Sequence, residues 1–524
     1  MYSNNTYQGT QARVKMGSKL GRQFESYKGN RQGHVRAAGN FKAYINPCLL
    51  AVNSSNLGFN IGPFCITAVC IADDCYVLSE CPRKLQGAID IVGHYGRRYR
   101  VIFNAGKTKA VVTGSKHDME YYRDIEMWKL YDEKIEVAED NEHLGLIVSG
   151  VDEEIKNVDE KIKVCRSSLF SLLGAAFSYS SKLSPKVQIH LWRTYCQPVL
   201  RSGLAALPLR QVHTDHLTSF HHKVIRGFLK LSKSSPIPSL YFLLGELPIV
   251  GSIHLDILSL FYTIWSNPST TIHHLIKYIL KMADSNSVTW AVHVQKICNI
   301  YELPDPLKLL ETEDAWPKSV WKSWCITKVR SYHEKHWREK SLSNSKMTFL
   351  NTQLLSLNGR HHPALYGLMT TRDVEKMRPH IKMLTGDYMT YSRVVTERQG
   401  GDPSCRLCRK LTMSLSATSP PPADTIPHIL TECRGTAEVR ERILPELLNS
   451  LTIAKPNHPY LVSQPSLHIL NLTLAQFILD CTSFNLPDSH RLDISCNHLA
   501  AVFNVSRDFC YAVHSSRMGQ LKDL

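Results

Sequence analysis

Between Pro63 and Glu80 the chain reads as an apolar run from Phe64 to Ile71, the triplet Ala72-Asp73-Asp74, and a second apolar run from Cys75 to Leu78. Runs of this length rich in β-branched residues predict two strands, and adjacent acids between them predict a tight turn. Two carboxylates are thereby placed at a hairpin tip. Paired acids held there can bind a divalent cation against phosphate oxygens, because hard cations take oxygen ligands and a hairpin fixes their direction. The same residues also suit a solvated turn, where Asp hydrogen-bonds its own backbone. Residues 63 to 80 alone leave both readings open.

Charge narrows the class of partner. Lys and Arg number 62 against 46 Asp and Glu, a formal net charge of +16 over 524 residues. Such a balance favours a polyanion, nucleic acid or an acidic membrane surface, over a neutral small molecule. A hydrophobic content of 43% excludes a disordered chain, and the length suggests several domains. The longest apolar region, Ile237 to Trp265, is interrupted by Gly245, Glu246, Pro248, His254 and Asp256, which predicts a buried helical segment and no membrane partner. Fifteen cysteines without a charged-then-apolar leader predict reduced thiols and a cytoplasmic or nuclear location.

Residues 1 to 50 form a positive arm with eight Lys and Arg against the single acid Glu25. The arm contains Gly29-Asn30-Arg31-Gln32-Gly33, where glycines let backbone approach a ligand closely while Arg31 meets a phosphate. A solvated turn before a helix through Phe41, Tyr44 and Ile45 fits equally well. After the acidic hairpin, Pro82 opens a helix, Asn104-Ala105-Gly106 turns the chain, and Lys107-Thr108-Lys109 leads into a strand over Ala110 to Thr113. A short hairpin containing His143-Leu144-Gly145 is expected between Lys134 and Val148.

The chain then turns helical. Ile155, Val158, Ile162, Cys165, Leu169 and Leu172 recur at spacings of three and four, one stripe of an amphipathic helix. Ser184-Pro185 caps the next helix, and another is expected from Thr214 to Leu231. Its His216, His221, His222, Lys223, Arg226 and Lys230 predict a basic solvated face able to track a nucleic-acid backbone. The region from Ile237 to Leu350 reads as helical with Trp residues packing its core, and Arg330 to Lys340 is the densest basic run.

Near the end, Cys405-Arg406-Leu407-Cys408 is followed by His428 and, after four residues, Cys433. A Cys-x2-Cys turn presents two thiolates to one metal, and a later His-x4-Cys closes the tetrahedron. Three sulfurs and one imidazole suit Zn2+ better than a hard cation. Leu411 to Ala423, with Pro420-Pro421-Pro422, predicts a flexible loop within this knuckle.

Taken in order, Gly29 to Gly33 with the helix through Tyr44-Ile45-Asn46, Ala72-Asp73-Asp74, Asn104 to Lys109 and His143-Leu144-Gly145 resemble the reverse transcriptase of a non-LTR, LINE-like retrotransposon. The Cys405, Cys408, His428 and Cys433 set is similar to the cysteine-histidine motif that follows the polymerase in many such elements. The resemblance implies an α+β fold: an incomplete reverse-transcriptase palm (1–150), a mostly helical thumb (151–235), a helical region (236–400), a zinc-knuckle-like segment (401–452) and a C-terminal helical region (453–524). Under it, Asp73 and Asp74 are catalytic ligands for Mg2+ or Mn2+ in nucleotidyl transfer, Arg31, Gln32, Gly33 and Lys107 lie along nucleotide or template, and the partners are RNA and DNA. The family pattern also uses an aspartate upstream of the Arg-Gln-Gly motif, and no Asp precedes Asp73 in this sequence. A chain beginning inside the palm, with two of three carboxylates and no polymerisation on its own, is therefore expected. The alternative is a non-catalytic RNA- or DNA-binding protein using basic helices and the knuckle.

Overall fold

A computed structural model describes residues 11–25, 34–72, 74–114, 116–124, 128–173, 183–284, 286–312, 314–353, 355–368, 370–398, 400–414, 420–454, 474–484 and 496–522. The fold is mixed α and β, mostly helical with small two-stranded sheets. It divides into two compact units, residues 1–153 and 154–524.

In the first unit, β1 (Gln11–Ala12) pairs with β4 (Phe24–Glu25) around the tight β2 (Lys15–Met16) and β3 (Lys19–Leu20) hairpin. Helix α1 (Ala37–Asn53) follows and buries Ile45, Cys48 and Val52 against Ala68 and against Ala88 and Tyr95 of α2 (Pro82–Tyr99). Between them run β5 (Phe59–Ile61), β6 (Phe64–Ile66), β7 (Ala68–Ile71) and β8 (Asp74–Val77). The run from Phe64 to Ile71 is thus two strands, not one. Asn53 explains the break: its side chain accepts from the Thr67 and Ala68 N–H groups at 3.1 and 2.9 Å and donates to the Ala68 carbonyl at 3.1 Å. With Thr67 held by a side chain, β6 pairs with β5 while β7 pairs antiparallel with β8.

β7 and β8 form the expected hairpin, but Asp74 stands in the strand opposite Ile71 rather than in the turn, and Asp73 lies outside the described residues. Ala72 takes φ +54°, the left-handed conformation that a two-residue hairpin turn demands. Cys70 and Cys75 face each other across the ladder and are joined by a disulfide, where reduced thiols were expected. Two cysteines flanking a two-residue turn on one face of the pleat meet whenever the hairpin closes.

Beyond α2, β9 (Lys109–Val111) pairs in parallel with β12 (Glu136–Ala138). Helix α3 (Lys116–Asp124) and the hairpin β10 (Lys129–Leu130) and β11 (Glu133–Lys134) separate them and supply Trp128 and Leu130 to a second small core with Ala105 and Ile135. The expected hairpin is β13 (Asp140–His143) with β14 (Leu146–Ser149), turning at Leu144 and Gly145, both at positive φ.

The second unit is helical in its described residues. Helix α4 (Glu153–Leu173) buries Val158, Ile162, Cys165 and Leu169, as the stripe predicts. Next come α5 (Pro185–Leu191), capped by Ser184, then α6 (Gln197–Arg201) and α7 (Gln211–Leu229). Helices α8 (Ile237–Leu244) and α9 (Ile249–Trp265), bent by 60° across the break at residues 245–248, bury the longest apolar region. Among the described residues no single helix is long and apolar enough to cross a membrane. Helices α10 (Thr271–Met282), α11 (Trp290–Ile300), α12 (Pro306–Glu311) and α13 (Lys318–Leu342) pack around α9, with Trp265, Trp316, Trp321 and Trp324 in one aromatic cluster. The unit closes with α14 (Thr371–Leu384), α15 (Tyr391–Arg398), α16 (Arg406–Ser414), α17 (Ala437–Ala454) and α18 (Cys496–Lys522).

Two expected basic faces are corrected in part: His216 and Lys223 on α7 and Lys335 and Lys340 on α13 are exposed, but other members of each set are not. On α7, His221 and His222 point into the core with Lys230 at its end, and burial lowers His221 to about 3 and His222 to about 4, so both are neutral. The helix is buried on this side by Leu217, Val224, Ile225 and Phe228, and Glu246, 3.8 Å from His221, is accommodated there by pairing with Arg193 at 2.6 Å and accepting from Gln197 at 3.2 Å. On α13, His333 is buried against Tyr301, and Arg338 donates to the Thr352 and Leu355 carbonyls instead of facing solvent.

Candidate metal centre

Cys405 stands immediately before α16, and Cys408 lies in its first turn. The Cys405 N–H donates to the Pro422 carbonyl at 2.8 Å, and Ser404 pairs with Ala423 as an antiparallel bridge. The returning chain is thereby laid beside the Cys-x2-Cys turn. Residues expected to be loop from Leu411 onward continue α16 as far as Ser414.

His428 to Glu432 form a π-helical turn, and the Cys433 N–H donates to the His428 carbonyl at 2.7 Å. That widening matters. In an α-helix, residues five apart point about 140° away from each other, whereas closing the ring over five residues brings His428 and Cys433 to the same side.

The four ligand atoms lie within 4.8 Å of one another, and all four residues are buried. Cys405 Sγ is 3.7 Å and Cys408 Sγ 3.9 Å from Cys433 Sγ, and Cys408 Sγ is 3.5 Å from His428 Nε2. A tetrahedron with metal–sulfur bonds of ~2.3 Å and metal–nitrogen bonds of ~2.05 Å has S···S edges of about 3.8 Å and S···N edges of about 3.6 Å. The cluster can therefore hold a metal such as zinc with little rearrangement.

Its surroundings fit that use. The second ring nitrogen of His428, Nδ1, faces a Glu432 carboxylate oxygen at 3.4 Å, the carboxylate–histidine pairing that orients a metal ligand. Arg440 donates to the Cys433 carbonyl at 2.7 Å and to Thr436 at 2.9 Å. Hydrogen bonds from Cys405 and Cys433 drive Cys408 strongly toward thiolate, while Cys405 and Cys408 push Cys433 up. Burial opposes a charged His428, but hydrogen bonds and charge from Cys405 and Cys408 outweigh it and lift the imidazole to about 10. Thiols and imidazole thus compete for few protons in a small buried space, the condition that a cation relieves.

The cluster is walled by α18. Leu521 packs on it, and Gln520 donates to the Gly435 carbonyl at 2.7 Å. A Cβ on Gly435 would stand 2.8 Å from Leu407 Cδ1 and 2.9 Å from Gln520 Oε1, so glycine permits this close approach. Asp424, fully buried beside the cluster, accepts from the Tyr391 N–H and from Arg517 of α18, both at 2.6 Å. The Arg406 guanidinium covers the Tyr391 ring at 4.3 Å. Asp424 and Arg517 carry no sequence signal. Glu432 does, lying one helical turn after His428.

The other site residues are not brought together in this way. Asp73, Arg31, Gln32 and Gly33 lie outside the described residues. Asp74 opens β8 and is exposed. Lys107 ends a short 3-10 turn from Ala105, with its N–H capped by the Asn104 side chain and its own side chain exposed. Among the described residues, Cys405, Cys408, His428 and Cys433 are the one group of three or more side chains placed to hold a metal, and Asp74 belongs to no such group. No family model and no curated protein matches the chain.

Proposed function

We propose that the chain is a zinc-holding nucleic-acid-binding protein of the non-LTR reverse-transcriptase type. The observation that carries this reading is the buried Cys3His set, in which the Cys405–Cys433, Cys408–Cys433 and Cys408–His428 distances match the edges of a zinc tetrahedron. The net charge of +16 supports a polyanionic partner, RNA or DNA. A hairpin with Asp74 at its tip, backed by α1 and α2, supports descent from a polymerase palm. Under this reading Asp73 and Asp74 would supply two carboxylates for Mg2+ or Mn2+, but the metal cluster and the charge support binding, which is the activity proposed.

Fluorescence anisotropy with a structured RNA tests the reading. Binding should weaken as salt rises, survive Asp73→Ala and Asp74→Ala, and fall after chelation or in Cys405→Ser. Equal binding by the metal-free protein would remove the role given to the knuckle. Primer extension on an RNA template with Mg2+ or Mn2+ should give no product. Template-dependent synthesis abolished by Asp73→Ala would replace the binding reading with a polymerase one.

A further inference from the structure

A cavity of about 620 Å3 opens between α14, α18 and the turns around Ser232 and Asp387, away from the four metal ligands. Its size is that of a small-molecule pocket. Arg378 and Lys382 stand one helical turn apart on α14, and His514 faces them from α18. Two carboxylates also line the cavity: Glu375, exposed on α14 near Arg378, and the buried Asp387, which accepts from the Ser232 N–H at 2.9 Å and hydroxyl at 2.5 Å and pairs with Arg393 at 3.5 Å. Arg393 is in turn fixed by donating to the Gly386 carbonyl at 3.0 Å and to Ser234 at 2.9 Å.

Behind this wall lies more positive charge. Lys230 is buried, and burial together with Arg378 lowers it to about 8. Burial, Lys382 and Arg517 likewise lower His514. His514 is thereby held toward its neutral form beside the Tyr388 hydroxyl at 2.9 Å, while Arg378 and Lys382 are two cations brought to one cavity, where a phosphate can meet both. The lining also carries apolar surface: Tyr511 and Met518, on α18 with His514, and Met389, of which Tyr511 is half-buried and the two methionines are exposed. Aromatic and thioether surface of this kind stacks on flat rings.

We infer that this cavity binds a nucleotide unit, its phosphate on Arg378 and Lys382 and its base against Tyr511 and Met518. The phosphate ester can belong to a nucleic-acid strand or to a free nucleotide. The strand is the source that follows if the binding function proposed above holds, and to that extent the inference rests on it.

The test titrates the full zinc-loaded chain with fluorescent oligouridine and, separately, with uridine monophosphate. Wild type is compared with Arg378→Gln/Lys382→Gln, with Lys382→Arg and with Tyr511→Ala, each checked for wild-type metal content and melting transition. Oligouridine affinity about tenfold lower in the double variant and retained in Lys382→Arg supports the site on a strand. Should the double variant not fold, the same loss in Tyr511→Ala carries that result. Unchanged oligouridine affinity in the folded variants overturns the site and leaves the proposed function standing. A wild type that binds uridine monophosphate through these residues but no oligouridine keeps the site and overturns the proposed function. A wild type that binds neither overturns both.

Discussion

The Arg517 guanidinium meets the Asp424 carboxylate at 2.6 Å, with 3% and 0% of their side chains exposed. This one pair ties α18 to the strand-like segment that braces Cys405, although 93 residues separate the partners. Burial raises Asp424 and Arg517 works against it, so the carboxylate depends on its cation.

Removing one member of such a pair strands the other charge in the core. Arg517→Ala is expected to destabilise the second unit by about 3–5 kcal/mol. Asp424→Asn/Arg517→Met should cost less than Arg517→Ala alone, because no lone charge remains. Denaturant unfolding of both proteins checks the order, and the reverse order would mean the pair is not buried as described.

Asn53 satisfies three backbone groups at Thr67 and Ala68. Asn53→Ala leaves these partly buried groups without their partner and should cost roughly 1–3 kcal/mol. Hydrogen exchange reads it directly: the Thr67 and Ala68 amides should lose protection first. Protection equal to wild type would assign the break between β6 and β7 to another cause.

Several histidines are buried neutral. Burial lowers His254 to about 3, His293 to about 4, His333 to about 4 and His380 to about 3, against the 6.5 of an ordinary imidazole. The unfolded chain therefore binds protons that the folded chain refuses. The stability contributed by neutral histidine is complete above pH 6.5 and is lost progressively as pH falls toward 4 and 3. Unfolding free energy followed by tryptophan fluorescence should decline below about pH 6.5, with a shallower slope in His333→Gln. A flat profile down to about pH 5 would show these rings to be solvated.

Local chemistry was the legible part of this fold. The stripe through Val158, Ile162, Cys165 and Leu169, the Ser184 cap and the turn before Asp74 all follow from spacing or turn preference within a few residues. The metal centre was legible for the same reason, since its Cys-x2-Cys and His-x4-Cys spacings are local. Polar residues turned inward by distant partners were not. His221 looks like a surface residue until Glu246 arrives beside it from the turn between α8 and α9, and Asn53 looks like an ordinary helix end until Thr67 returns to it. The split of the Phe64 to Ile71 run likewise depends on a side chain from another element, which no periodicity reports.

Gly435 lets Leu407 and Gln520 close over the cluster. Gly435→Val should open this wall and weaken metal retention against a chelator, while Gly519→Ala, whose Cβ meets nothing within 4 Å, should leave it unchanged. Equal retention in both variants would show that α18 does not shield the site.

The central claim is that Cys405, Cys408, His428 and Cys433 hold one zinc ion. Metal analysis of the purified full chain, compared with Cys408→Ser, tests it most directly. About one equivalent of zinc per chain, lost or sharply reduced in the variant, is the result expected of a closed structural site. A wild-type chain without zinc, or a variant that keeps its full equivalent, would contradict it.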